Sequence, residues 1–368
     1  MSKVFMCWTL NSGTTYYRMM NFVKYARDKV SFGMSKWSPN IQGVADWEYH
    51  LDQEQVRKDL SVLLDNCDMV IAQKFHSVGG LAVMDTFKHQ YPKKPFYTEL
   101  DDNIFAVNPN SPAHDNYNPG SQLENIAIEQ IQLSTGLIVS TDYLRRAYEG
   151  LNPNIWVIPN GIDFEIWDKL KSPKENKKIR IGWAGGGSHD DDLEFIYPAI
   201  ERIIENHKNV EFVFMGGVPR SYLNNPKIKV IKKWLPIDEY PQALKDMGLD
   251  IALAPLRDND FNRAKSNLRW LEYSAMKVPT IASNVEPFKC IEDGKTGLLV
   301  TEVDEWSDAI KSLIESESDR KKIGESAYQA VKKNYNVKNI AKEYAKNIKL
   351  MILGKARISK EAAIEALR

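Results

Sequence analysis

Three cysteines in 368 residues, Cys7, Cys67 and Cys290, are too few and too widely spaced for a disulfide framework, and no C-x-x-C pair marks a zinc site. That usage fits a reducing compartment, so a cytoplasmic location is expected. No apolar run approaches the roughly 18 residues that a spanning helix needs. The chain enters an apolar strand at once, with no basic n-region and long h-region, so no signal peptide is expected either. Net charge is also absent: 49 Lys and Arg balance 49 Asp and Glu. This removes any global pull toward nucleic acid or membrane, and leaves local patches and a peripheral membrane position open. There is no fixed-period repeat and no low-complexity tract.

What is present is ordinary globular material, 43% apolar and 27% charged, and long enough for two domains. Strand and helix patterns alternate along it. Val4 to Leu10 reads as a buried strand. The polar turn Asn11-Ser12-Gly13-Thr14-Thr15 follows, then a helix from Tyr16 to Arg27. Such a first βα turn faces the ligand in doubly wound domains. It lacks G-x-G-x-x-G, but Gly13 lets backbone come close, and Arg18 either adds charge there or lies on the surface. Further strands are read at Met69–Gln73, 95–98, 136–140 and 155–158, with helices at 56–65, 81–89, Gln122–Leu133 and Asp142–Tyr148. The third strand ends in Glu99-Leu100-Asp101-Asp102-Asn103, an acidic cluster that is costly without a task. Asp101 or Asp102 can orient or deprotonate a hydroxyl, or bind a divalent cation; Asp102 or Asn103 can instead cap a following turn. A long Asn-, Pro- and Ser-rich loop runs from 106 to 119, with His76 and His114 as candidate bases or ordinary loop residues.

A Lys-, Pro- and Asn-rich stretch, 172–178, reads as a linker. A second α/β series then begins with a strand at 179–183 that runs into Gly185-Gly186-Gly187-Ser188-His189. Three glycines let several N–H groups converge on an anion, although turn geometry alone also accounts for them. Strands follow at 210–215 and Ile228–Ile231, the latter leading to Trp234, which can stack on a base or sit in the core. The chain is organised around the stretch from 262 to 300. A buried strand at 250–255 leads into a basic, polar loop, 257–266, with Arg263, Lys265 and Ser266. A helix at 267–276 carries Glu272, and a strand at 279–283 follows. A charged loop opening a helix at the end of a buried strand is where open α/β sheets hold anions. A carboxylate two turns inside that helix suits a ribose diol, or is simply solvated. Amphipathic helices close the chain at 306–314, 320–333 and 337–353, with a further one expected at 358–367.

Three motifs carry a resemblance. They are V-I-P-N-G-I-D (157–163), Leu271-Glu272-Tyr273-Ser274-Ala275-Met276 with Lys277-Val278-Pro279, and Asp293-Gly294-Lys295-Thr296-Gly297-Leu298-Leu299-Val300. They are similar to the signatures of the group 1, family 4 type retaining glycosyltransferases of GT-B fold. Ala264 stands where that family has the first Glu of its paired-Glu pattern, which bears on the sugar contact. The resemblance implies two doubly wound, Rossmann-like domains facing a central cleft. The first is an acceptor-side domain over 1–168, the second a nucleotide-sugar domain over 169–336, and a C-terminal helix, about 337–368, crosses back onto the first. It implies a hexosyltransferase moving sugar from a nucleoside diphosphate sugar to an acceptor hydroxyl. Gly13, Gly185, Gly186, Gly187, Ser188, His189, Trp234, Arg263, Lys265 and Ser266 fall on the donor side. Lys265 offsets leaving-group charge, Glu272 holds the ribose, and Asp101 or Asp102 positions the acceptor. No cofactor or metal is required on this reading, although a divalent ion at the acidic cluster is not excluded. A nucleotide-sugar epimerase and a non-catalytic sugar or nucleotide binder are the rival functions. The acceptor, whether glycan, lipid-linked sugar, protein or modified DNA base, and the oligomeric state stay open.

Overall fold

The computed structural model describes residues 1–8, 13–36, 64–75, 78–107, 114–173, 177–232 and 235–353. The helices expected at 56–65 and 358–367, together with His76 and Trp234, lie wholly or largely outside these residues. The described chain divides into two compact units: Met1–Asp102 with Asn116–Pro159 and Lys338–Arg368, and Asn103–Asp115 with Asn160–Val337.

The first unit is built on a six-stranded parallel sheet of order β2-β1-β3-β4-β5-β6. Its strands are β1 (Ser2–Trp8), β2 (Val30–Lys36), β3 (Met69–Gln73), β4 (Phe96–Leu100), β5 (Gly136–Val139) and β6 (Ile155–Val157). β3, β4 and β5 are buried at every residue, as befits short apolar runs covered on both faces. The edge strand β2 was not apparent in the sequence, because its run VSFGMSK mixes Gly, Ser and Lys with apolar residues. Hydroxyl caps open two of the helices: Ser121 accepts from the Glu124 N–H at 3.2 Å and Thr141 from the Leu144 N–H at 3.2 Å. Cys7 and Cys67 are free thiols in a core with Phe5, Phe75, Phe87 and Phe96. The helix Val337–Ile352 packs on this unit: Tyr344 meets Phe22 edge-on at 5.1 Å, and Tyr97 Oη donates to the Met351 carbonyl at 3.3 Å.

The second unit has β7 (Ile179–Gly185), β8 (Val210–Gly216), β9 (Ile228–Ile231), β10 (Ile251–Ala254), β11 (Thr280–Ser283) and β12 (Leu298–Val300) in the parallel order β12-β11-β10-β7-β8-β9. The chain winds outward from β7 through β8 and β9, then returns to the other side of β7 with β10. That reversal is the hallmark of a dinucleotide-type doubly wound sheet, and it opens a crevice at the C-terminal ends of β7 and β10. The helix Asp190–Asn206 covers one face with Leu193, Ile196, Ala199, Ile200 and Ile203, all buried, and Trp183 and Trp306 lie in the same core.

Two stretches read as loop carry short helices. Asn259 accepts from the Asn262 N–H at 2.9 Å and so caps a helix over Asp260–Ala264 inside the basic loop. His114–Tyr117 forms another. Polar composition hid both, since one turn offers too few residues for periodicity.

Candidate active site

Gly185 ends β7 in a crowded place: a Cβ there would lie 2.4 Å from the Trp183 ring and 2.7 Å from Arg269 Nη2. Sterics therefore require this glycine. Gly186 and Gly187 differ, for a Cβ on either would meet nothing within 4 Å, and neither has positive φ. Ser188 is exposed in the 3₁₀ turn Gly187–His189 that follows. His189 Nδ1 lies 2.9 Å from Asp192 Oδ2, and its ring stands edge-on to Trp183. Burial pushes the imidazole pKa down, Asp192 opposes that, and the charges of Lys265 and Arg269 add to it.

The acidic run 190–192 is divided in its roles. Asp192 is 2% exposed and accepts from the Arg257 N–H at 2.7 Å and from Asn262 Nδ2 at 2.8 Å, besides contacting His189. One carboxylate thus fastens the turn after β7 to the loop after β10. Sequence reasoning missed this role, because nothing in the Asp-Asp-Asp run singles out the inward member.

In the loop after β10, Lys265 Nζ lies over the Phe261 ring at 4.2 Å, and Ser266 Oγ accepts from Asn160 Nδ2 at 2.9 Å. Arg263 binds both Asp258 oxygens, at 2.7 and 3.0 Å, and Asp260 at 3.1 Å on a partly exposed surface. Its charge is already matched. A different arginine reaches the glycine turn. Arg269 lies over Trp183 at 5.5 Å and donates to Glu272 Oε2 at 3.2 Å and to Tyr240 Oη at 3.1 Å. Glu272 is 2% exposed and accepts from Tyr240 Oη at 3.1 Å. Burial and the Glu272 charge hold the Tyr240 phenol well above its ordinary pKa. The only signal for Arg269 was its spacing, three residues before Glu272 on the helix Leu268–Ala275.

That helix is fixed from two sides. Tyr273 Oη accepts from the Ala184 N–H of β7 at 3.0 Å, and Trp270 Nε1 donates to the Thr296 carbonyl at 2.9 Å. Thr296 belongs to the D-G-K-T-G turn, which is structural: Gly294 has φ +71°, and Asp293 Oδ1 accepts from the Leu299 N–H of β12 at 2.8 Å. V-I-P-N-G-I-D also has a structural part. Ile162 bonds Tyr335 and Val337 through backbone at 2.8 and 3.0 Å, and Asp163 caps the helix Phe164–Trp167.

The first unit carries its own charged group at the C-terminal end of β4. Arg18, on a π-helical turn over Tyr16–Met20, is 2% exposed and donates to Glu99 Oε1 and to the Ile158 carbonyl, each at 2.6 Å. It is neither a surface residue nor a loose charge. Burial pushes Glu99 up to about 7 against the pull of Arg18. Asp101 is also raised, by burial and then by Asp102, with a Thr14 hydrogen bond opposing. Asp102 offers its carbonyl to Tyr148 Oη at 2.7 Å. The cap on the following turn is Asn103, whose side chain accepts from the Phe105 N–H at 3.2 Å. Gly13 opens the first helical turn with open space around it, and His114 begins the short helix noted above. Among the described residues no group of three or more His, Cys, Asp or Glu is arranged to hold a metal ion, and no helix is long and apolar enough to cross a membrane.

Residues 178–316 match the family described as glycosyl transferases group 1. No curated protein sequence matches the chain. Its fold is similar to HepE of Anabaena, solved in complex with UDP, with a TM-score of 0.65 and 15% identity over 95% of this chain and 100% of that one. A glycosyltransferase from Rickettsia africae ESF-5 gives 0.64 and 14% over 96% and 98%. Sucrose-phosphate synthase from Thermosynechococcus elongatus gives 0.62 and 11% over 96% and 100%. The second unit thus carries the signature of the glycosyl transferases group 1 family, and the two parallel six-stranded sheets along the chain match the GT-B fold of these structures.

Proposed function

We propose that the protein moves a hexose from a nucleoside diphosphate sugar to an acceptor hydroxyl, with retention at the anomeric carbon. The observation that carries this reading is the meeting of three distant segments at the reversal point of the second sheet. They are the turn Gly185–His189, Lys265 at the end of its short helix, and the Arg269–Glu272–Tyr240 group. Gly186 and Gly187 have no reason within the chain to lack a side chain, which suits close approach of a diphosphate to their backbone. Lys265 and Arg269 then offset the charge that grows on the leaving diphosphate, Arg269 taking the role expected of Arg263. Neutral His189, held by Asp192, serves as a hydrogen-bonding group toward the donor. Glu272 keeps its orientation through Tyr240 and Arg269 and accepts from the ribose hydroxyls. In the first unit, Asp101 or Asp102 positions the acceptor hydroxyl.

HepE has been solved with UDP-glucose as well as UDP, so a uridine donor is the first to test. The experiment incubates the protein with α-linked UDP-, GDP- and TDP-glucose and a set of glycan acceptors, and reads the product by NMR. An α-linked product supports retention, and a β-linked one contradicts it. Release of the sugar to water alone, or conversion of the donor without transfer, contradicts the transferase reading.

A further inference from the structure

The N-terminal ends of β7, β10 and β11 lie at the edge of the second sheet opposite the glycine turn. A cavity of about 540 Å³ opens there. Six cationic side chains line it: Lys177, Lys178, Lys245, Lys277, Arg320 and Lys321. Against them stand two carboxylates, and both are engaged. Asp250 accepts from the Arg180 N–H at 2.8 Å, and Glu317 pairs with Lys321 at 2.6 Å. In a chain of zero net charge, such a concentration around one hollow is not a compositional accident.

Internal roles account for part of the set. Arg320 donates to the Leu313 and Ile314 carbonyls at 2.5 and 3.2 Å and so closes the end of the helix Val303–Glu315. Lys277 pairs with Glu325 at 2.8 Å. Lys177, Lys178 and Lys245 have no carboxylate or hydrogen-bond partner among the described residues. Lys245 is half-buried, and burial, followed by the Lys277 charge, presses its pKa down. Backbone strain lies at the same spot. Lys277 has φ 61°, the one non-glycine residue at positive φ among those described, at the position after a helix where glycine is the usual occupant. The chain accepts a strained lysine where glycine would fit without strain. Leu249, Met276 and Val278 add apolar wall beside the charges, enough to seat the organic part of a small ligand.

We propose that this cavity is a second anion site, which takes a small phosphorylated molecule on the edge of the sheet away from the candidate active site. Phosphate oxygens accept charge-assisted hydrogen bonds from Lys177, Lys178 and Lys245, and the added negative charge relieves the repulsion between Lys245 and Lys277. The same edge continues into a second cavity of about 450 Å³ with Lys208, Lys227 and Lys229. An extended anionic surface would meet both cavities, whereas a small phosphate meets the first alone.

The test is calorimetric titration of the full chain with inorganic pyrophosphate. It is run in the parent and in a Lys265→Ala/Glu272→Ala background that weakens the candidate active site. The proposal predicts a binding event that survives in that background. Adding Lys178→Ala/Lys245→Ala should weaken it about tenfold or more, and arginine at the same two positions should restore it. Lys177→Ala/Lys178→Ala, both exposed, is the second variant should the first unfold. Unchanged affinity in the lysine variants, or no binding event in the weakened background, overturns the proposal. So does binding to phosphatidylglycerol vesicles with none to pyrophosphate. None of these outcomes depends on the transferase reading, because the lysines lie apart from the residues assigned to it.

Discussion

Each unit holds an Arg–Glu pair at the C-terminal end of its sheet, and the two pairs are built differently. Arg18 and Glu99 are sealed, with side chains 1% and 2% exposed and 2.6 Å apart, and Arg18 also donates to a main-chain carbonyl. Arg269 and Glu272 are 3.2 Å apart, and the arginine side chain is 22% exposed while the glutamate is 2%. A sealed pair joins segments 81 residues apart and is answered within the chain. A pair open on one side keeps a guanidinium reachable beside a glycine turn that has space around it. The first arrangement belongs to the fold, and the second is where a ligand can be met.

That contrast can be broken in stages. The largest effect is expected from Arg18→Met, which leaves a buried carboxylate without its partner and should lower unfolding stability by about 3–5 kcal/mol. Urea unfolding measures it, and a loss below about 1 kcal/mol would show the pair is not structural. Glu272→Ala, which leaves Tyr240 and Arg269 without their shared acceptor, should cost less stability, about 1–2 kcal/mol, and lower kcat/KM about 100-fold, the size of lost hydrogen bonds to a charged group. A fall in stability as large as that of Arg18→Met would make the two pairs alike and erase the distinction.

A pH series sharpens it further. The folded state holds the Glu99 proton more tightly than the unfolded chain does. Its contribution is therefore complete below about pH 4.5 and is lost as pH rises through about 7. Stability should fall across that window, and the fall should be smaller in Glu99→Gln, measured by unfolding at stepped pH. The smallest effect is expected at a motif rather than at a pair. Asp293→Ala removes one turn hydrogen bond and should cost about 1 kcal/mol with kcat/KM unchanged, since the D-G-K-T-G turn meets the helix of the candidate site only through the Thr296 carbonyl.

Much of the fold was legible because parallel sheets write themselves as short apolar runs. Met69–Gln73, Gln122–Leu133, Asp142–Tyr148 and Ile228–Ile231 begin and end where the pattern places them. The edge strand Val30–Lys36 escaped because an edge tolerates Gly, Ser and Lys. The site was legible by position but not by partner. Periodicity reports which face of a helix is buried and is silent on which charge it meets across space. Arg263 and Arg269 look equivalent in the sequence, yet one is bound to Asp258 and Asp260 and the other lies beside Gly185. Asp192 and its two acidic neighbours look equivalent too, until the fold turns one of them inward.

Thermal unfolding of the parent and Glu272→Ala proteins with UDP-, GDP- and TDP-glucose asks whether the reversal point of the second sheet grips a nucleoside diphosphate sugar. A selective rise in Tm for one of the three is expected in the parent, with most of that rise lost in Glu272→Ala. No rise with any of them, or a rise undiminished in Glu272→Ala, would contradict it.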